Sequence, residues 1–232
     1  MKTKETKNTK NVSNVNYVYN FAPMEEKKRE LVLKASEVYM RYGIKSMTMD
    51  EMARQLGVSK KTLYQYVKDK NDLVQQCVLL QHEEEQQMIQ EVVKSTDNAI
   101  EQMLQISRII IDELRQIHPS IFFDLAKYHP SVMKMMEGHK DEFVCGCIEE
   151  NLIAGIKQGL YRKNLNPRVI SSIYVGMIDL VMQGTIINDL NLRPDEIYSE
   201  MFRYHIRGIA SEKGLEYLAE LIKNDKSLSY GM

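Results

Sequence analysis

Residues 48–67 read Thr-Met-Asp-Glu-Met-Ala-Arg-Gln-Leu-Gly-Val-Ser-Lys-Lys-Thr-Leu-Tyr-Gln-Tyr-Val, and their spacing decides the fold. Met49, Met52, Ala53 and Leu56 recur at i, i+3, i+4 and i+7, one face of a helix, and Thr48 with Glu51 forms a capping-box signature at its start. Gly57 supplies a turn position, Ser59 can cap a second helix, and Leu63 and Val67 give that helix one apolar face. Two short helices joined by such a turn predict a helix-turn-helix at about 48–67. The other face of the second helix keeps Lys60, Lys61, Thr62, Tyr64, Gln65 and Tyr66. Lysines neutralise phosphates or donate to guanine edges, Thr and Gln can read bases, and tyrosine hydroxyls can bond phosphates. A merely solvated amphipathic helix pair would show the same periodicity. The capping box, turn glycine and basic face in one run favour a DNA-reading surface.

The longer run Met-Asp-Glu-Met-Ala-Arg-Gln-Leu-Gly-Val-Ser-Lys-Lys-Thr-Leu-Tyr-Gln-Tyr-Val-Lys-Asp-Lys-Asn-Asp-Leu, residues 49–73, closely resembles the DNA-binding domain of TetR-family transcriptional regulators, a likeness that covers about Glu26 to Leu73. The resemblance implies an all-α protein. Its N-terminal three-helix DNA-binding domain would carry the helix-turn-helix, and a C-terminal helical domain would bind ligand and dimerise. It further implies a homodimer on a palindromic double-stranded DNA operator, released when a small effector enters the second domain. By motif position it puts Thr48, Tyr64, Tyr66 and Lys70 on phosphates and Lys60, Lys61, Thr62 and Gln65 near bases, with Ser59 opening the same surface. One departure is Val67, where the family usually has phenylalanine, which leaves the packing under this helix open.

With 232 residues and 44% hydrophobic content, the chain can bury a sizeable core in one or two domains. No run approaches the roughly 20 apolar residues needed to cross a bilayer, and the lysine- and asparagine-rich start lacks the apolar centre of a secretion signal. These features predict a cytoplasmic, nucleoid-associated protein without a membrane partner. The net charge of −1 hides an asymmetry: residues 1–70 carry 15 Lys and Arg against 8 Asp and Glu, leaving 16 against 24 beyond them. A basic first third on an acidic remainder fits a chain of which one end meets phosphate. Cys77, Cys145 and Cys147 form no paired pattern, so no disulfide framework is expected. Cys145 and Cys147 stand about 200° apart on a helix and cannot grip one metal together. They read as small buried hydrophobes, or as a redox sensor if their pKa is depressed.

Taken in order, residues 1–23 form a basic N-terminal tail, either an arm that adds phosphate contacts or an extension that touches nothing. Residues 24–72 form the DNA-binding domain, whose first helix ends at Gly43 and packs across the helix-turn-helix. Lys27, Lys28 and Arg29 at its start are near DNA backbone or simply solvated. Lys70 opens the next helix, where backbone amides also favour phosphate. That helix has a polar waist at 81–87, expected to be wet, between two apolar ends. Residues 73–225 form the effector-binding and dimerisation domain, and 226–232 a C-terminal tail.

Large, adaptable side chains gather in 103–136, and this composition suits a pocket as well as an ordinary core. The expected effector cavity is walled by Met103, Ile110, Phe122, Phe123, Tyr128, Met133 and Met136, with Tyr174 and Met177. The helix beginning at Pro167 is apolar almost all round and must be buried on every side. Helices 141–159 and 167–187 are therefore expected to pair with their copies in an isologous four-helix interface through Cys147, Ile148, Leu152, Gly155, Ile170, Ile173, Gly176, Ile178 and Val181. A final pair of helices, broken at Gly214, closes the core. His118, His129 and His139, with Asp124 nearby, lack metal-ligand spacing, so no metal or cofactor is expected. No phosphate loop, nucleophile elbow or carboxylate pair stands out, and no catalytic residue is assigned. The expected protein is a TetR-like regulator, a repressor released by a small, partly apolar effector, and not an enzyme. The alternative is a DNA-bound adaptor whose second domain engages another protein.

Overall fold

Helix α1 (Glu26–Tyr42) stops where Gly43 adopts φ +78°, and a Cβ at that position would lie 2.8 Å from the Ser120 hydroxyl. Both the left-handed backbone and the tight contact call for glycine. The computed structural model describes residues 24–182 and 192–224, and the 1–23 and 226–232 tails lie outside them. After a short loop come α2 (Met49–Gln55) and α3 (Lys60–Tyr66). Val32 and Ala35 of α1, Ile44 and Met47 of the loop, and Met52, Leu63 and Val67 of the pair bury together in one apolar cluster. Val67 is only 3% exposed, so the smaller side chain still closes the underside of α3.

The first third of α4 (Lys70–Ser95) belongs to the same cluster through Leu73, Val74, Cys77 and Leu80. Its polar waist is not wet. His82 and Gln86 are buried, because α5 (Ala99–Gln116) and α7 (Pro130–His139) pack along that side. Arg29 is not left for DNA or solvent either. It pairs with Glu83 at 2.8 Å and Glu84 at 3.2 Å, pinning the start of α1 to the middle of α4. Helix α5 begins at the Asn98 cap, whose Oδ1 accepts from the amides of Ile100 and Glu101. Helix α4 closes just before it, where the Thr96 amide donates to the Val92 carbonyl.

Between the halves lies α6 (Ile121–Tyr128), whose Leu125 joins the first cluster, as does Val132 of α7. Helix α7 then runs on through a π-helical turn (Lys140–Val144) into α8 (Cys145–Gln158), where a fresh start at Asp141 is expected from sequence. With no proline between 131 and 166 the backbone has no obligatory stop, and one widened turn re-registers the helix. Helices α5, α8, α9 (Pro167–Met182), α10 (Pro194–Ile209) and α11 (Glu212–Asn224) enclose the second core around Ile100, Leu152, Tyr161, Tyr174, Phe202 and Ile206. Gly214 does not break a helix. It lies within α11, where a Cβ would strike the Leu160 carbonyl; the break is the extended Ala210, after which the Ser211 hydroxyl accepts from the Gly214 amide at 3.1 Å to start α11. Among the described residues an isolated bridge between Tyr161 and Ala210 is the one β-type pairing.

Several residues expected at a dimer interface are interior to the subunit. Leu152, Ile148 and Val181 are buried, and Gly155 faces the ring of the fully buried Tyr161. The face of α8 that carries Ile148, Leu152 and Gly155 packs on α5 and α9, and Val181 faces the same core from α9, an arrangement the apolar pattern alone could not separate from an intersubunit face. A methyl group at Gly155 would enter the Tyr161 ring. Gly155→Ala should cost about 1–3 kcal/mol through overpacking, lowering Tm by roughly 2–4 °C per kcal/mol without changing the native mass. A changed native mass at unaltered Tm would return Gly155 to an interface.

Candidate nucleic-acid interface and effector cavity

The helix-turn-helix is built as its caps dictate. The Thr48 hydroxyl accepts from the Glu51 amide at 3.2 Å while the Glu51 carboxylate accepts from the Thr48 amide at 2.9 Å, satisfying two donors at the α2 N-terminus. Those bonds hold the Glu51 carboxyl below its ordinary range. Gly57 at φ +67° turns the chain, and the Ser59 hydroxyl accepts from the Thr62 amide at 3.0 Å to start α3. With Leu63 wholly buried, Lys61, Tyr64 and Gln65 stand at i, i+3 and i+4 on the exposed side.

The remaining expected contacts flank that face. Lys60 is exposed but pairs with Asp50 across the turn at 2.8 Å. Thr62 is half-buried, its hydroxyl 2.8 Å from that of Ser59. Tyr66 is half-buried and lines a groove between α1 and α3 with Lys27 and Lys34. Lys70 opens α4 and reaches back to the Lys45 carbonyl at 3.4 Å, and partial burial lowers its pKa.

Behind this surface, a cavity of about 170 Å³ opens between α4, α5, α7, the π-turn and α9. Met103, Ile110, Phe122, Met136 and Tyr174, expected from sequence at a pocket, line it, and so do Ile148, Ile178 and Val181, expected at an interface. Phe123 and Tyr128 do not. They sit on the outer side of α6, where Lys127 lies over both rings and Lys45 over that of Tyr128. Met133 packs into the first core and Met177 against the second, both away from the cavity.

Sequence reading missed the polar wall. His82, Glu85 and Ile89 enter from α4 and His139 and Lys140 from α7 and the π-turn. The spacing 82, 85 and 89 is one helix face, a signal hidden inside a run taken for solvated. His82 and His139 stack at 3.9 Å, and burial together with its neighbour pushes His82 down to about 3, so it is neutral at physiological pH. Lys140 ion-pairs with Asp179. The other histidines go elsewhere, His118 to the Ser120 hydroxyl and His129 to Asn71. Burial pushes the Cys147 thiol up to about 12, which disfavours the reactive thiolate.

On the outer side of α9, Val169, Ile173 and Leu180 are each about half exposed, and none of the described residues would touch a Cβ at Gly176. Their spacing makes one apolar stripe, and Ile153 of α8 is exposed as well. Of the expected interface residues, Ile173 and Gly176 belong to this stripe, while Ile170 and Cys147 are half-buried.

Glu113, on α5, donates nothing and accepts one bond from Gln81, and burial with the Glu85 and Glu84 charges raises its pKa to about 7. The unfolded chain ionises this carboxyl near 4.5, so the shift opposes folding increasingly from there to about pH 7 and by a constant amount above. Glu113→Gln should raise stability at pH 8 by about 1–2 kcal/mol, allowing for solvent screening, and leave it unchanged at pH 4. Equal Tm values at pH 8 would contradict this.

Residues 31–77 match the family model described as bacterial regulatory proteins, tetR family. The HTH-type transcriptional activator FasR of Mycolicibacterium smegmatis is 41% identical over 54 residues, 23% of this chain and 25% of FasR, so the chain matches about a quarter of that relative's length. Among solved structures, a putative transcriptional regulator from Saccharomonospora viridis in complex with choline superposes with a TM-score of 0.65 at 13% identity, covering 81% of this chain and all (100%) of that one. Thermus thermophilus FadR, a TetR-family repressor in complex with lauroyl-CoA, gives 0.52 at 15% identity over 79% and 96%. At such identities these structures share the fold.

Proposed function

We propose that this chain, which belongs to the TetR family of bacterial regulatory proteins, is a ligand-responsive transcriptional repressor acting in the cytoplasm as a homodimer on a palindromic operator. The observation that carries the reading is the display of Lys61, Tyr64 and Gln65 on a helix that Ser59 caps and whose opposite side is locked into a core. Such a helix can enter a major groove with its base-reading side chains leading. Thr48, Tyr64, Tyr66 and Lys70 are suited to phosphates, which set register without reading sequence, and Lys60, Lys61, Thr62 and Gln65 to base edges, with Ser59 opening the same surface. No helix among the described residues is long and apolar enough to cross a membrane.

The stripe Val169–Ile173–Gly176–Leu180 supports the dimer. A two-fold copy would cover it, and glycine at its centre permits close helix approach. Two reading helices must lie about 34–36 Å apart to meet successive major grooves. An effector that binds better to a conformation with another spacing weakens operator binding by linkage. The apolar cavity supports a small-molecule sensor over a protein adaptor, and so do choline and lauroyl-CoA in the neighbours named above.

Fluorescence anisotropy of a labelled 30-base-pair duplex (length chosen at roughly three helical turns) tests this directly. Duplex binding should weaken as salt rises, with a negative slope of log K against log salt, and Lys70→Ala should flatten that slope by about 1. Ile173→Asp should yield a folded monomer whose duplex affinity is down more than about tenfold, since one half-site replaces two. Salt-independent binding, or a dimeric Ile173→Asp protein, would refute the respective part.

A further inference from the structure

The cavity's charges do not balance, and the imbalance names a ligand class for the effector site proposed above, on which reading this inference rests. Two charged side chains line the void, Glu85 and Lys140. The Lys140 ammonium is neutralised by Asp179 of α9, which does not itself line the void. Glu85 has no lysine or arginine partner among the described residues; its nearest cationisable neighbour is His139, 3.7 Å away. Beyond it Glu113 adds a second carboxyl on the same side, close enough to Glu85 for the two to repel.

A second observation is independent of charge. His82 lines the cavity at 7% exposure and stacks on His139, and neither ring nitrogen makes a hydrogen bond among the described residues. A neutral imidazole carries one acceptor nitrogen, which a buried site leaves idle only at a cost unless a donor arrives. Burial keeps that ring uncharged at physiological pH, so it cannot serve as a cation for an acid. The rest of the lining, including Ile89, Ile110, Phe122 and Ile178, is apolar.

We propose that the cavity takes a protonated amine carried on a small apolar body, its ammonium donating to the Glu85 carboxylate and to the acceptor nitrogen of His82. The volume of about 170 Å³ sets the body's size, since an apolar cavity of roughly 150 Å³ accommodates benzene. An anion of equal size meets the Glu85 charge and finds Lys140 already paired. A neutral analogue gains the apolar burial without the charge-assisted bonds.

Three near-isosteric probes, benzylamine, benzyl alcohol and benzoate, separate these cases by calorimetry and ligand-observed NMR on the full-length protein at pH 7.5. Benzylamine should bind at least about tenfold more tightly than benzyl alcohol, as expected when one charge-assisted contact is added, with benzoate weakest. Glu85→Gln, checked for native circular dichroism, should remove that preference and leave the alcohol unchanged. Alcohol binding as tightly as the amine, or benzoate binding more tightly, overturns the amine assignment while leaving an effector cavity in place. Failure of all three to bind overturns the effector reading together with it.

Discussion

The two halves of this chain are joined at a buried carboxylate. Asp124, 3% exposed on α6, accepts from the Lys45 amide at 2.9 Å and from the Ser120 hydroxyl at 3.1 Å, while the His118 amide donates to the Met40 carbonyl at 2.8 Å. A buried carboxylate is tolerated only where hydrogen bonds replace its water, so this junction has one well-defined arrangement. The loop it holds leads directly from α1 into α2. Two residues before Asp124, Phe122 faces the cavity, and the residue after it, Leu125, sits in the core beneath the reading helix. On the proposed reading, anything that displaces Phe122 acts on a helix that also fixes the loop of the helix-turn-helix.

Helix α4 supplies the second tie. Its beginning belongs to the DNA-binding core, its middle is pinned to α1 through Arg29, and its waist presents His82 and Glu85 to the cavity. The cavity and the helix-turn-helix are thus connected by two short paths of packed and hydrogen-bonded side chains.

The DNA-binding half was legible because its signals are local. A capping box, a turn glycine and an apolar i, i+3, i+4, i+7 pattern each report on neighbours within one or two turns, and the Thr48–Glu51 bonds have the expected form. The second half depends on which apolar face meets which helix, and periodicity does not say. Leu152, Ile148 and Val181 were indistinguishable from Ile173 in sequence, yet three face inward and one outward. Phe123 and Tyr128 read as pocket residues by type, but α6 is short and turns only Phe122 to the void. Conversely, His82 and Glu85 were lost in a polar run because their partners, α5 and α7, lie far along the chain.

The central claim is that a single helix of each of two subunits, held at a fixed separation, reads DNA. Selection of bound sequences from a pool of random duplexes tests it most directly. The account predicts enrichment of two inverted half-sites with centres about 10 base pairs, one helical turn, apart or a multiple of that. Recovery of an asymmetric single site, or no enrichment over the starting pool, would contradict it.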